Sequence, residues 1–145
     1  ILDEPTTGVD PLSRIEFFRI IDELKEEGRT IITSTPYLEE AEKGDDLFFL
    51  KHGRIIKKGS IDKLKREFPA RIILVRPEGP VFDTLAALMK IPGIKDKAHV
   101  RGRRIKIMLE KGINIPDIIA SMDIGEAPPT LEDIFLYYER REIED

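Results

Sequence analysis

The order of short β-branched runs and amphipathic stretches constrains this chain more than any other feature. No apolar run approaches the roughly 18 residues that a membrane-spanning helix requires. The apolar runs are instead strand-sized, and the stretches with helical periodicity are those of ordinary surface helices. Such a mixture predicts an α/β chain.

In the first part, Ile1 and Leu2 are strand-like and run into Asp3-Glu4. Asp10 followed by Pro11 is a helix start, with Asp10 as N-cap and Pro at the first helical position. Leu12, Ile15, Phe18, Ile21 and Leu24 recur at helical spacing, widened by Phe17 and Ile20, which predicts a helix burying a broad face. Gly28 stops it. "RTIITST" predicts a buried strand, and a brief helix is expected over Tyr37 to Lys43, started by Thr35-Pro36. "DLFFLKHGRIIKKG" reads as a hairpin turning at Lys51-His52-Gly53. Ser60 then caps a helix running towards Phe68.

Near Pro69 the pattern resets. A strand is expected over Arg71 to Val75, and a helix over Val81 to Lys90 carrying Phe82, Leu85, Leu88 and Met89. Lys95 to Leu109 folds back around "RGRR" as a second hairpin. A helix starts at Asn114, with Ile115, Ile118, Ile119 and Met122 inward. A strand over Ile124 to Ala127 and a final helix follow, with Thr130 and Asp133 forming a capping box. The order β-α-β-β-α-β plus a helix is that of a ferredoxin-like sandwich. The expected division is therefore residues 1–68 and 69–145.

Composition narrows the function. The 145 residues carry a net charge of -4, with basic and acidic residues interspersed, so no basic footprint for nucleic acid is present. With no cysteine, neither a disulfide framework nor a cysteine-based metal site can form. A reducing, cytoplasmic setting is the expectation.

The opening "ILDEPTTGVDP" resembles the Walker B end and D-loop of ATP-binding-cassette (ABC) ATPases. "TIITSTPYLEEAE" is similar to their switch segment, and "LFFLKHGRIIKKGSIDKL" to the hairpin and helix that follow. The tail with "PPTLEDIF" resembles the C-terminal extension of ABC ATPases from drug-export-type transporters. The resemblance implies a fold in two parts: the C-terminal part of a P-loop ABC ATPase domain, then a small ferredoxin-like α+β domain. It also implies roles. Asp3 would hold Mg²⁺ through water, Glu4 would polarise the attacking water, and Asp10 would face a partner subunit across a nucleotide sandwich. ATP and Mg²⁺ would be the cofactors of the complete domain. Its partner would be a transmembrane permease, and its location the inner face of the cell membrane, as a peripheral cytoplasmic subunit.

Three features depart from the family pattern. The phosphate loop G-x-x-x-x-G-K-[ST] and the Ser-Gly-Gly signature are absent from the sequence. Both lie upstream of the Walker B strand in the family, so the first residue is expected to be a cut through a larger domain. Alone, the chain is expected neither to bind nor to hydrolyse ATP. Third, Pro36 stands where the family has the switch His, and proline has no donor to offer a γ-phosphate. Its plainer reading is a helix-starting proline.

The other candidates have bland readings. His52 is a turn residue, and His99 lies on a strand without a second ligand at metal spacing. Arg101 to Arg104 form an exposed hairpin tip, and Tyr137 and Tyr138 pack the last helix. Two further functions stay open. One is a truncated, non-enzymatic dimerisation or regulatory module. The other is a soluble ABC ATPase of translation or DNA repair, against which the "PPTLEDIF" tail argues. Self-association through residues 1–35 is expected, because "TIITS" would leave an unprotected strand edge.

Overall fold

The structure, a computed structural model, describes residues 1–94 and 97–141; the side chain of Ile118 lies outside that description. The chain divides into two compact units, Ile1–Asp45 and Asp46–Asp145.

In the first unit, helix α1 (Pro11–Glu26) is set at both ends by the residues expected to set it. Asp10 accepts hydrogen bonds from the Leu12 and Ser13 amides at 3.0 and 3.1 Å. At the other end Gly28 adopts φ +82°, a conformation that costs a residue with a Cβ. Its amide donates to Lys25 and that of Arg29 to Leu24, which satisfies two otherwise orphan carbonyls. The packing differs from expectation. No residue of α1 is buried, and Leu12 and Ile15 are 76% and 66% exposed. The apolar stripe exists but is covered only in part: Phe18, Ile21 and Leu24 are half-buried, with Lys43 over the Phe18 ring, while Leu12 and Ile15 stay exposed.

"RTIITST" is also less regular than its propensity suggests. Only Thr33 pairs, in an isolated parallel bridge with Leu2. A strand pair this small cannot hold itself in register without further neighbours. Helix α2 (Leu38–Ala41) is shorter than expected and has Tyr37 as its N-cap residue. Pro36 therefore precedes the cap and is not the first helical residue.

The second unit holds two antiparallel sheets. β1 (Leu47–Lys51) and β2 (Arg54–Gly59) form the expected hairpin. His52 and Gly53 both have positive φ, +48° and +76°, the two-residue turn whose twist suits a hairpin. The Ser60 hydroxyl accepts from the Lys63 amide at 3.4 Å and starts α3 (Ile61–Glu67). Next come β3 (Ala70–Arg76), α4 (Val81–Leu88), β4 (Ala98–Arg101) and β5 (Arg104–Glu110). They are followed by α5 (Asp117–Ala120), β6 (Asp123–Ala127) and α6 (Leu131–Arg141). The four-stranded sheet has the order β4-β5-β3-β6.

Alternation along the strands sorts their side chains onto two faces. Ile73, Val75, Ile105 and Ile107, all fully buried, pack with Leu88, Ile94 and Ile119 in one core. Each such side chain contributes about 1.5–3 kcal/mol on leaving water. α5 begins at Asp117, later than the expected Asn114, because Pro116 supplies its cap position. Phe82, expected inside, is 70% exposed. The start of the second hairpin, Lys95 and Asp96, lies outside the described residues. The capping box of α6 is present, with the Thr130 amide on Asp133 at 2.8 Å and the Asp133 amide on Thr130 at 3.3 Å. Among the described residues no helix is long and apolar enough to cross a membrane.

Candidate functional site

The bridge between Leu2 and Thr33 determines where the acidic pair stands. The Leu2 amide donates to Ile32 at 2.8 Å and the Ser34 amide to Leu2 at 3.0 Å. This lays the residues after Leu2 beside the residues after Thr33. The Ser34 hydroxyl then donates to Asp3 Oδ1 at 2.5 Å and accepts from the Glu4 amide at 2.9 Å. Asp3, Glu4 and Ser34 are thus neighbours at one end of the bridge.

Glu4 has φ +42°, in the left-handed region that a residue with a Cβ rarely adopts. Such a residue costs on the order of 1–3 kcal/mol and persists only when its surroundings hold it. Here the hold is visible: the Thr7 amide donates to the Glu4 carbonyl at 3.1 Å and the Thr7 hydroxyl to Glu4 Oε2 at 3.2 Å. Both Asp3 and Glu4 are exposed.

Behind this edge lies a buried polar knot. Glu40 on α2 is 8% exposed, and its Oε2 accepts from the hydroxyls of Thr6 and Thr35, each at 2.7 Å. Arg14 Nε stands 3.4 Å from Glu40 Oε1, although neither atom finds a hydrogen-bond partner. The Arg14 guanidinium also lies over the Tyr37 ring, 4.9 Å from its centroid. One carboxylate therefore joins the turn after Glu4, the start of α1 and the segment before Pro36. A charge this buried is tolerable only when paired and hydrogen-bonded, as it is here.

Asp10 is separate from this group and acts as the cap of α1. A hydrogen bond from the Ser13 hydroxyl, aided by the Ser13 and Leu12 amides, holds its carboxyl below the usual carboxylate value. Sequence reasoning singled out Asp3, Glu4, Asp10 and Pro36 and missed Ser34, Thr6, Thr35 and Glu40. A serine and two threonines in β-rich surroundings carry no distinctive signal. Glu40, among Glu39 and Glu42, reads as one more solvated acid.

The donor set bears on which ion could bind. Among the described residues no three His, Cys, Asp or Glu side chains gather to hold a metal. Mg²⁺ asks for less, since it keeps several waters and uses one or two carboxylates. The exposed carboxylate of Asp3, steadied by Ser34, fits that demand.

Relatives of the chain are ATP-binding proteins of ABC transporters, the drug-export type included. The chain is 31% identical to a protein named as a probable multidrug ABC transporter ATP-binding protein in Escherichia coli, over 94% of its own length and 24% of the relative's. It is 30% identical to a daunorubicin resistance ATP-binding protein of Streptomyces coeruleorubidus, over 94% of the chain and 46% of that protein. A Nod factor export ATP-binding protein of Rhizobium sp. (strain N33) is 32% identical, over 99% of the chain and 48% of that relative. The chain thus spans about a quarter to about half of the length of these curated relatives. No protein-family model matches it.

Proposed function

We infer that this chain, a relative of ABC transporter ATP-binding proteins, is the C-terminal portion of the ATP-hydrolysing subunit of an ABC-type exporter. The observation that carries the reading is that one hydroxyl, that of Ser34, bonds both the Asp3 carboxylate and the Glu4 amide. In a complete domain Asp3 would hold Mg²⁺ through water and Glu4 would orient the attacking water. The ion would supply charge neutralisation at the phosphates. Asp10 would face a partner subunit across the nucleotide. Residues 1–68 would belong to the nucleotide-binding domain and 69–145 to a ferredoxin-like extension, a reading that the strand order β4-β5-β3-β6 supports. The partner would be a transmembrane permease, and the subunit would sit on the cytoplasmic face of the membrane.

The chain lacks a phosphate loop, so hydrolysis must be tested in a complete domain. Residues 1–145 would replace the matching part of the daunorubicin resistance relative. Turnover should fall roughly 100-fold with Glu4→Gln and rise with Pro36→His, since a lost or gained transition-state group is typically worth that much. A chimera that hydrolyses ATP equally well with Glu4→Gln would overturn the reading.

A second reading, a non-enzymatic dimerisation module, is favoured by one observation. Ile1, Leu12, Ile15 and Ile32 are 98%, 76%, 66% and 60% exposed within residues 1–35. Apolar side chains this exposed gain by leaving water, and two copies could cover them symmetrically. Sedimentation at micromolar concentration should then give a dimer that Ile31→Lys with Ile32→Lys dissociates. A clean monomer would exclude this module.

A further inference from the structure

The "RGRR" hairpin has more beside it than a solvated tip requires. Arg101 ends β4 and Arg104 begins β5, directly opposite one another in the register. Like charges in that position repel and weaken a hairpin unless something lies between them. Among the described residues neither has a carboxylate partner.

Both arginines line a cavity of about 370 Å³ whose other walls are Leu74, Lys106, Ala127, Pro128 and Thr130. No acidic side chain lines it. The apolar part comes from β3 and the end of β6. Gly125, paired with Leu74, presents no side chain, and a Cβ added there would meet nothing within 4 Å. The wall at the base of α6 is fixed. Lys106, 3% exposed, is held by Asp133 at 2.5 Å, and Asp133 in turn by Thr130. Lys106 is therefore spent on Asp133, whereas the guanidinium groups of Arg101 and Arg104 keep their donors free for a ligand.

We propose that this cleft binds a small organic oxyanion: an apolar body resting on Leu74, Ala127 and Pro128, with its phosphate or carboxylate between Arg101 and Arg104. A guanidinium is a planar fork that matches either head group with two parallel hydrogen bonds. Two opposed forks bring together an anion and two cations that otherwise repel. The apolar wall distinguishes this ligand from a bare inorganic ion. The site lies wholly within Asp46–Asp145 and does not depend on any ATPase role.

The test is a two-dimensional NMR titration of the chain with phenyl phosphate, benzoate, inorganic phosphate and a single-stranded RNA oligonucleotide. Phenyl phosphate or benzoate should give saturable shifts at Leu74, Arg101 to Lys106 and Ala127 to Thr130. The preferred aromatic anion should bind about tenfold or more tightly than inorganic phosphate, the gain expected from burying one ring. Which of the two binds more tightly identifies the head group. Arg101→Ala with Arg104→Ala should weaken binding at least about tenfold, since each removes charge-assisted hydrogen bonds. Ala127→Leu should do the same by filling the cleft with the charges intact. The substituted residues Arg101, Arg104 and Ala127 are exposed or half-buried, so the fold should survive, as unchanged amide signals of Ile72, Ile73 and Leu109 in the ligand-free variants would verify. Absence of saturation up to about 10 mM, where even millimolar affinity would be evident, would overturn the proposal. So would inorganic phosphate binding as tightly as the aromatic anions, affinity unchanged in both variants, or tighter binding of the RNA.

Discussion

The two units take opposite kinds of side chain out of water. In Ile1–Asp45 the described residues that are buried are Thr6 and Glu40, one hydroxyl and one carboxylate. In Asp46–Asp145 they are predominantly apolar, from Leu47 and Phe49 through Ile73, Ile107 and Ile134. Hydrophobic burial is the main favourable term in folding, while a net hydrogen bond contributes only about 0.5–1.5 kcal/mol. The second unit therefore carries its own driving force. The first owes its local order to directional polar contacts, which specify geometry more than they stabilise it.

The largest expected effect tests that contrast with one kind of truncation in each unit. Ile107→Ala removes most of a fully buried side chain from the core beside Ile73 and Ile105. It should cost about 2–5 kcal/mol, the usual range for such a cavity. Leu12→Ala, on the exposed stripe of α1, should stay within about 0.5 kcal/mol, as surface changes do. Urea unfolding of the two variants checks this. Equal costs would mean that α1 is covered in solution.

Glu40→Ala is the next largest and acts on the first unit alone. It leaves the buried Thr6 hydroxyl without its acceptor and Arg14 without its counter-charge. An unsatisfied buried group costs about 1–3 kcal/mol. Hydrogen exchange at the Leu2 and Ser34 amides, which form the bridge to the acidic edge, should accelerate about tenfold or more, as 1.4 kcal/mol implies. Amides of β3 and β5 should not change. If the bridge amides keep their protection, Glu40 does not hold the segments together.

What was legible in the sequence was local. Asp10-Pro11, Gly28, Ser60 and the Thr130–Asp133 box each act within one helical turn, so residue identity alone announces them. The His52-Gly53 turn and the succession of elements after Pro69 are legible for the same reason. Coverage was not legible. Periodicity shows that Leu12, Ile15 and Ile20 share a stripe, but not whether anything packs on it. β-branching marks "TIITS" as strand-prone, yet a strand needs neighbours to become one. Most of the candidate site was hidden in this sense. Asp3 and Glu4 stand out beside each other in sequence, but their link to Ser34 spans 31 and 30 residues. The Thr6–Glu40 contact spans 34. The same applies to Lys106, whose burial makes sense only once Asp133 is beside it.

The smallest effect distinguishes charge from shape at the start of α1. The Asp10 carboxylate accepts from the Leu12 and Ser13 amides, and the Ser13 hydroxyl adds the largest share in holding its pKa below the ordinary 3.8. The sign follows from that direction. A carboxyl with a lowered folded-state value contributes stability above 3.8, and the contribution disappears as pH falls through the lower, folded value. Protonation removes the charge that favours a helix N-terminus and weakens the acceptor. The first turn, Pro11 to Arg14, should therefore fray on acidification, which carbon chemical shifts can follow residue by residue. Asp10→Asn separates the two contributions, because asparagine is as good an N-cap but does not titrate in this range. The variant should keep the turn at neutral pH and lose its acid sensitivity. If Asp10→Asn frays with the same acid midpoint as the unsubstituted chain, another group drives the transition, and Asp10 caps α1 by shape alone.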